Sequence, residues 1–167
     1  SAAIRILPEL SLLGADPDRT WLEKVSQLSH GLVLITGSSG SGKSTTMARI
    51  LSLISQKRAC HVVTLEDPVE YVIPMEKALI HQREIGRDVA DFPQGIRDAL
   101  REDPDVIALG EMRDSETISA ALTAAETGHL VLGTLHTTRA KDVPARIIHA
   151  FPGDRQEEIR GLLAANL

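Results

Sequence analysis

The pattern G-x-x-x-x-G-K-[ST] is matched at every fixed position by the segment Gly37-Ser38-Ser39-Gly40-Ser41-Gly42-Lys43-Ser44. This segment follows the apolar run 32–35 and precedes a helix-forming run that starts at Thr45, which is the strand-loop-helix context that the motif requires. Glycines allow the backbone to turn so that successive N–H groups point inward, with the positive end of the following helix behind them. The segment is therefore predicted to bind the phosphates of a nucleotide.

Two side chains of this loop have predicted roles. Lys43 is expected to reach the β- and γ-phosphates, and the Ser44 hydroxyl is expected to bind Mg²⁺, a hard cation that takes few protein ligands. The predicted nucleotide-binding set is the whole loop and the residue after it, namely Gly37, Ser38, Ser39, Gly40, Ser41, Gly42, Lys43, Ser44 and Thr45.

Length and composition indicate one globular domain. The chain has 167 residues, of which 43% are hydrophobic, which is enough for a single domain with a core. It contains no run of about 18 apolar residues and no pattern of a signal peptide, so we expect no membrane insertion and a cytoplasmic location. The single cysteine, Cys60, excludes an intramolecular disulfide within these residues and is expected to be buried at the start of a strand.

The charge argues against a nucleic-acid partner. The net charge is −5, from 23 acidic and 18 basic residues, and only 2% of the residues are aromatic. Nucleic-acid grooves use basic patches and stacking platforms. We therefore expect no nucleic acid as partner, although the charge of a whole chain does not reveal a locally basic pore in a ring.

Apolar strand candidates alternate with helical patterns after residue 30. The predicted strands are 32–36, 61–66, 105–109 and 130–135, and the predicted helices are 44–56, 92–102, 115–127, 140–150 and 154–165. This alternation predicts the α/β class, with a mostly parallel sheet and helices on both faces. The runs 106–109 and 130–132 are continuously apolar, so they are predicted to be central strands.

Two segments depart from this alternation. Residues 67–91 are interrupted by Pro68 and Pro74, and we predict a hairpin-like excursion that returns through 78–81. Residues 1–30 are predicted to be a linker, with a short edge strand at 4–8, a turn cluster at 14–18 and a short helix that ends near Ser29.

Two acidic positions are candidates for metal binding and catalysis. Glu111 follows the predicted strand 105–109, at the edge where open α/β sheets bind ligands, and so occupies the position of a Walker B acid. Gly110 replaces the aspartate that often precedes this acid, and Glu66, at the end of strand 61–66, is a second candidate carboxylate. Both are predicted to bind Mg²⁺, directly or through water. The alternative for Glu66 is a structural one, because an acidic pair before a proline, here Glu66 and Asp67 before Pro68, is also common in a simple turn.

Histidines lie at both ends of the predicted strand 130–135. His136, with Thr134 and Thr137, is expected at the carboxyl edge, where it could hydrogen-bond the γ-phosphate and sense its loss. The alternative is a histidine that is only hydrogen-bonded at a strand end, and for His129 both interpretations stay open.

Arginines cluster between residues 83 and 101. Arg97 and Arg101 are spaced i,i+4 on the predicted helix 92–102, away from its apolar face. They could complete a neighbouring subunit's active site or form a solvated helix face, and the sequence leaves both open.

Five motifs in order give the chain a family resemblance. They are Val63-Thr64-Leu65-Glu66-Asp67-Pro68-Val69-Glu70-Tyr71, His81-Gln82-Arg83-Glu84-Ile85-Gly86, Leu100-Arg101-Glu102-Asp103-Pro104-Asp105-Val106-Ile107, Gly110-Glu111-Met112-Arg113-Asp114 and Thr123-Ala124-Ala125-Glu126-Thr127-Gly128-His129-Leu130. Together they resemble the secretion-superfamily ATPases of type II secretion and type IV pili, most of all the PilT-type retraction ATPases.

The resemblance implies a RecA-like P-loop ATPase that uses ATP and Mg²⁺. It further implies a homo-hexameric motor that acts on an inner-membrane platform protein, so that the motor is cytoplasmic and peripheral to the membrane through its partners. The implied site residues are the Asp-box acid Glu66, the catalytic Glu111, the His-box pair His129 and His136, and the arginines that act in trans, Arg83, Arg97 and Arg101. Gly110 is itself the family pattern.

The resemblance also implies a division into domains, and it leaves open which branch of the superfamily the chain belongs to. Residues 31–167 resemble the RecA-like domain with its C-terminal region truncated, and residues 1–30 resemble the linker from a missing N-terminal domain. Pilus retraction is favoured by the segments 81–84 and 110–114. The alternatives are a pilus-extension or type II secretion ATPase of the same superfamily, and an ATP-binding regulatory module with little hydrolysis.

Overall fold

The structure, a computed structural model, describes residues 19–167, so the strand predicted at 4–8 and the turn cluster at 14–18 lie outside the described residues. Within these residues the strands are β1 (Gly31–Thr36), β2 (His61–Glu66), β3 (Leu79–Glu84), β4 (Val106–Leu109) and β5 (Leu130–Leu135). The α-helices in this part of the chain are α1 (Arg19–Ser26), α2 (Lys43–Lys57), α3 (Phe92–Ala99), α4 (Ser115–Glu126), α5 (Val143–His149) and α6 (Gln156–Asn166).

The strands form one parallel sheet in the order β1-β5-β4-β2-β3. Every residue of β4 and β5 is buried, because these strands lie inside the sheet and are covered on both faces. The α/β class and the central position of these two strands are therefore confirmed. All carboxyl ends of the strands lie at one edge, which is where the candidate site is found.

The helices cover both faces of the sheet. One core contains side chains from α1 and α2, among them Leu22, which is 2% exposed, and Ile54, which is fully buried. The other core contains side chains of α3, α4, α5 and α6, including Ile96 and Leu122. Burial of these apolar side chains supplies the main stabilising free energy of the domain.

The hairpin-like excursion predicted for 67–91 is wrong in its direction. The return begins at Leu79 as expected, but β3 pairs in parallel with β2, in a register that places His61 opposite Leu79. The chain therefore travels back along the sheet before β3 begins. The fully buried Ser55 on α2 holds this crossover, because its hydroxyl donates to the Pro74 carbonyl over 2.7 Å and accepts from the Glu76 N–H over 3.0 Å.

Two predicted helices are shorter than expected. The helix predicted over 92–102 ends at Ala99 and continues as a 3-10 turn over Leu100–Glu102, since Asp103 takes a left-handed φ of 52° before Pro104. The helix predicted over 140–150 begins with a 3-10 turn, and α5 starts at Val143. Pro144 then lies in the first turn, where its missing N–H is not needed.

Candidate nucleotide-binding and catalytic site

The glycine-rich loop joins β1 to α2 at the carboxyl edge of the sheet. Gly40 and Gly42 have φ values of 75° and 92°, which residues with a Cβ rarely adopt. Because α2 begins at Lys43, its first turn leaves backbone N–H groups without partners inside the helix. This geometry fits a bound phosphate.

Lys43 already lies across the loop. Its Nζ donates to the backbone oxygens of Gly37 and Ser38 over 3.0 and 2.9 Å, and lies 3.4 Å from His136 Nδ1. The ammonium group is thus held at the mouth of the loop, where it is in place to bind a phosphate.

A cavity of about 500 Å³ lies beside the loop. From the predicted nucleotide-binding set, Ser39, Gly40, Gly42, Lys43, Ser44 and Thr45 line it, and from the predicted catalytic set Glu66, Glu111 and His136 line it. One hydroxyl and two carboxylates facing one cavity form an all-oxygen set that suits Mg²⁺. The residues present therefore fit both a nucleotide and this cation.

Glu111 follows β4 and is held by two neighbours. Its side chain is only 18% exposed, and its Oε1 lies 3.0 Å from His136 Nε2 and also accepts from Arg113 Nε. The hydrogen bond and charge of Glu111 raise the pKa of Arg113 above its usual value. Because both contacts are made by Oε1, they fix the orientation of the carboxylate beside the cavity.

Gly110 explains why the acid before Glu111 is missing. A Cβ at this position would lie 3.2 Å from both the Cα of Glu66 and the carbonyl oxygen of Leu65. These atoms belong to the backbone of β2, which has little freedom to move. A side chain at position 110 would therefore press on the β2 backbone, and the second carboxylate of the site comes from Glu66 on the neighbouring strand.

Glu66 is oriented by polar groups on its own sheet face. Its Oε1 accepts from the Thr64 hydroxyl over 2.6 Å and from the Gln82 amide over 3.0 Å. Gln82 also donates to the Tyr71 carbonyl over 2.9 Å, and the Tyr71 hydroxyl lies 2.9 Å from Thr45 Oγ1. A chain of hydrogen bonds therefore connects the acid on β2 to the first turn of α2.

Three residues that contact or orient the two acids had no role predicted from the sequence, namely Arg113, Gln82 and Tyr71. A role for Arg113 could have been predicted from the sequence, because Arg113 lies two residues after Glu111. Gln82 depends on the parallel register of β3, which sets it beside Thr64. Without that register, no sequence signal places Gln82 or Tyr71 near the site.

Four predicted catalytic residues lie away from the cavity of their own chain. His129 precedes β5, so it lies at the opposite end of a six-residue strand, about 20 Å from the carboxyl edge. Its Nδ1 lies 2.9 Å from the Ala124 carbonyl and 3.1 Å from the Thr127 hydroxyl. The alternative interpretation of His129, a hydrogen-bonded histidine at a strand end, matches this position.

The arginines lie outside the cavity as well. Arg83 forms two hydrogen bonds of 2.7 and 2.8 Å with the Glu102 carboxylate of the same chain. Arg97 is exposed and bonds to Gln94, over 3.0 Å at its shortest, and Arg101 is exposed in the 3-10 turn rather than on the same helix. Within one chain, the structure does not bring these side chains to the loop.

The parallel sheet with a glycine-rich loop and two facing acids at its carboxyl edge defines a RecA-like P-loop protein of the α/β class. A family model described as "Type II/IV secretion system protein" matches residues 2–155. The chain therefore belongs to the Type II/IV secretion system protein family. In the described residues 19–167, no helix is long and apolar enough to cross a membrane.

Individual relatives agree with this assignment. The type IV pilus retractation ATPase PilT of Pseudomonas aeruginosa PAO1 is 50% identical over 145 residues, which cover 87% of this chain and 42% of PilT. The uncharacterized protein YggR of Escherichia coli K12 is 50% identical over 171 aligned positions, covering all of this chain and 52% of YggR. The chain thus spans about half the length of these relatives.

A solved structure gives the same result for the fold. The crystal structure of the pilus retraction motor PilT with bound ADP aligns with a TM-score of 0.87 at 48% identity. The alignment covers 99% of this chain and 48% of that one. The chain is thus similar in sequence and fold to part of a pilus motor.

Proposed function

We propose that this chain is the ATPase domain of a hexameric motor that hydrolyses ATP to retract type IV pili and so drives twitching motility. The main support is that one cavity is lined by Lys43, Ser44, Glu66, Glu111 and His136. The chain that forms this cavity is also 50% identical, over 145 residues, to a type IV pilus retraction ATPase. A pure nucleotide-binding module needs the loop alone, so the additional acids and histidine favour hydrolysis over regulation.

The loop and the five side chains named above have distinct roles in this reaction. The loop N–H groups and Lys43 bind the phosphates, and Ser44 and Glu66 hold Mg²⁺, directly or through water. Glu111 accepts the proton of the attacking water, while His136, 3.0 Å from its Oε1, orients the carboxylate and contacts the γ-phosphate. Mg²⁺ bound there would neutralise charge that develops on the phosphates during transfer.

Arginine from a neighbouring subunit completes the site. Arg97 and Arg101 are exposed and lie away from their own loop, which leaves both available to a second subunit. Positive charge supplied in trans is a common source of rate enhancement in phosphoryl transfer. Arg83 is the weaker candidate, because Glu102 already binds its guanidinium. His129 belongs to the same proposed site only through contacts between subunits.

We also propose how the domain is connected, where the motor acts and which partner it acts on. Residues 31–167 form the RecA-like domain, on which α1 packs, and residues 1–30 lead to it from an N-terminal domain. The hexamer acts at the cytoplasmic side of the inner membrane on a platform protein of the pilus machine. Its net charge of −5 agrees with a protein partner rather than nucleic acid.

Subunit mixing tests the completion of the site in trans. Glu111→Gln subunits keep their arginines, and Arg97→Ala/Arg101→Ala subunits keep their acid, so mixed rings contain some complete sites. We expect the mixture to hydrolyse ATP faster than either variant alone, and the specific activity of the unmodified protein to rise with concentration. A constant specific activity from dilute monomer upward would refute the requirement for a ring.

A cellular test separates retraction from extension. A strain whose motor carries Glu111→Gln should keep pili on its surface but lose twitching, because extension continues while retraction stops. Loss of surface pili would instead assign the chain to extension, and loss of a secreted enzyme with normal twitching would assign it to type II secretion.

A further inference from the structure

A second group of possible ligands lies at the edge of the sheet, away from the cavity. The side chains of His61, His81 and Glu102 come from β2, β3 and the 3-10 turn after α3, and their donor atoms all lie within 4.8 Å of one another. The register sets His81 beside Val63, so His61 and His81 share one face of the sheet. Thr64 and Glu66 lie on the other face, so this group is separate from the nucleotide site.

The two imidazole nitrogens lie at a separation that suits two ligands of one ion. His61 Nε2 lies 3.1 Å from His81 Nδ1, and the rings stand nearly perpendicular at 83°. Two nitrogens on a tetrahedral zinc ion, with bonds of 2.0–2.1 Å, are about 3.3 Å apart. The observed separation of 3.1 Å is close to this distance, and rotation of the imidazole rings is needed to aim both lone pairs at one ion.

The groups behind these ligands also fit a metal. His61 Nδ1 lies 3.2 Å from the backbone oxygen of Glu102, which only accepts hydrogen bonds, so the proton is on Nδ1 and the lone pair is on Nε2. Glu102 is held by Arg83 over 2.7 Å. Histidine ligands that donate their second N–H to a carbonyl, and carboxylate ligands held by a donor, are the usual outer contacts of metal sites.

We propose that His61, His81 and Glu102 form a zinc site that links the edge strand β3 to β2 and to the turn after α3. In the absence of metal, His81 donates its Nδ1 proton to His61. On binding, that proton moves to the exposed Nε2 of His81, so both imidazoles stay neutral and one ligand position stays open to water. Two nitrogens and one oxygen favour zinc over Mg²⁺ or Ca²⁺, which prefer oxygen ligands.

Zinc titration of the tag-free, metal-stripped protein against a chromophoric chelator tests this site. We expect one zinc ion per chain and a higher melting temperature on binding. His81→Asn should weaken zinc binding by at least the ~10–100-fold that loss of an outer contact costs, and Glu102→Gln should weaken it too. His81 is exposed, so its substitution is expected to leave the metal-free melting temperature unchanged.

His149→Asn is the matched control, since His149 is an exposed histidine outside the group. It should bind zinc as the unmodified protein does, and excess Mg²⁺ should not displace the zinc. No zinc binding, equal binding by His81→Asn, or displacement by Mg²⁺ would each overturn the site. None of these results depends on ATP hydrolysis, so they leave the proposed motor function untouched.

Discussion

Replacement of Glu111 by glutamine tests the proposed chemistry most directly. Oε1 of Glu111 accepts from His136 and Arg113, and a glutamine amide keeps an oxygen that can accept both bonds. Glutamine has nearly the same shape and volume as glutamate, so the substitution should change little around a side chain that is only 18% exposed. What it removes is the negative charge and the capacity to accept a proton from water.

The expected loss follows from that single change. Removal of a general base lowers turnover by ~10²–10⁴-fold, which corresponds to about 3–5 kcal/mol in the activation free energy. Nucleotide affinity should stay within a few-fold, because the loop and Lys43 are unchanged. Phosphate release at saturating ATP measures kcat, and a fluorescent ATP analogue measures Kd in the same preparation.

Glu66→Gln is the matched control, since it changes the second carboxylate of the cavity in the same way. Glu66 lies between Thr64 and Gln82, and we expect its substitution to raise the Mg²⁺ concentration required for half-maximal activity. If Glu111→Gln retains near-normal turnover while Glu66→Gln loses it, the roles of the two acids are reversed and the reasoning from the Glu111 contacts is wrong.

Three further substitutions test the structural arguments. Gly110→Ala should lower the free energy of unfolding by about 1–3 kcal/mol and reduce turnover, because the new Cβ would lie 3.2 Å from the β2 backbone. Gly161 has open space around it, so Gly161→Ala should not lower the free energy of unfolding. If urea unfolding shows the same loss for both variants, the argument from the close approach at Gly110 is wrong. Ser55→Ala should cost about 1–3 kcal/mol, whereas the half-buried Ser52→Ala should stay within about 0.5 kcal/mol. Asp114→Ala removes the cap of α4 and should cost about 1 kcal/mol at neutral pH. Burial alone would raise the pKa of Asp114, but hydrogen bonds, chiefly from Thr117, outweigh it and lower that pKa. The charge-dependent part of the stability difference from Asp114→Ala should therefore begin to shrink as the pH falls below the unfolded pKa of about 4, and should be lost below the lower pKa of the folded state.

The parts of the site that the sequence predicted depend on one geometric rule. Parallel strands end at the same edge, so residues that follow β2, β4 and β5 must lie near one another once the alternation of strands and helices is recognised. Glu66, Glu111 and His136 were predicted to lie at that edge on this ground, and all three line the cavity. The same rule places His129 at the opposite end of β5.

The direction of β3 did not follow from sequence because it depends on side-chain contacts across the fold. Neither the prolines nor the apolar pattern of 67–91 distinguishes a hairpin from a parallel return, and the Ser55 bonds to the crossover appear only when α2 is packed on the sheet. The direction has a consequence for the site. An antiparallel β3 would lose the register of Gln82 with Thr64, and Glu66 would lose the amide that orients it.

The crossover also connects the two halves of the cavity. Gln82 binds Glu66 and the Tyr71 carbonyl, and the Tyr71 hydroxyl contacts Thr45 in the first turn of α2. Thr45 belongs to the phosphate-binding element and Glu66 to the acidic one, so these hydrogen bonds join the two elements through Tyr71 and Gln82. The orientation of Glu66 therefore depends on a side chain from β3, a different strand from its own.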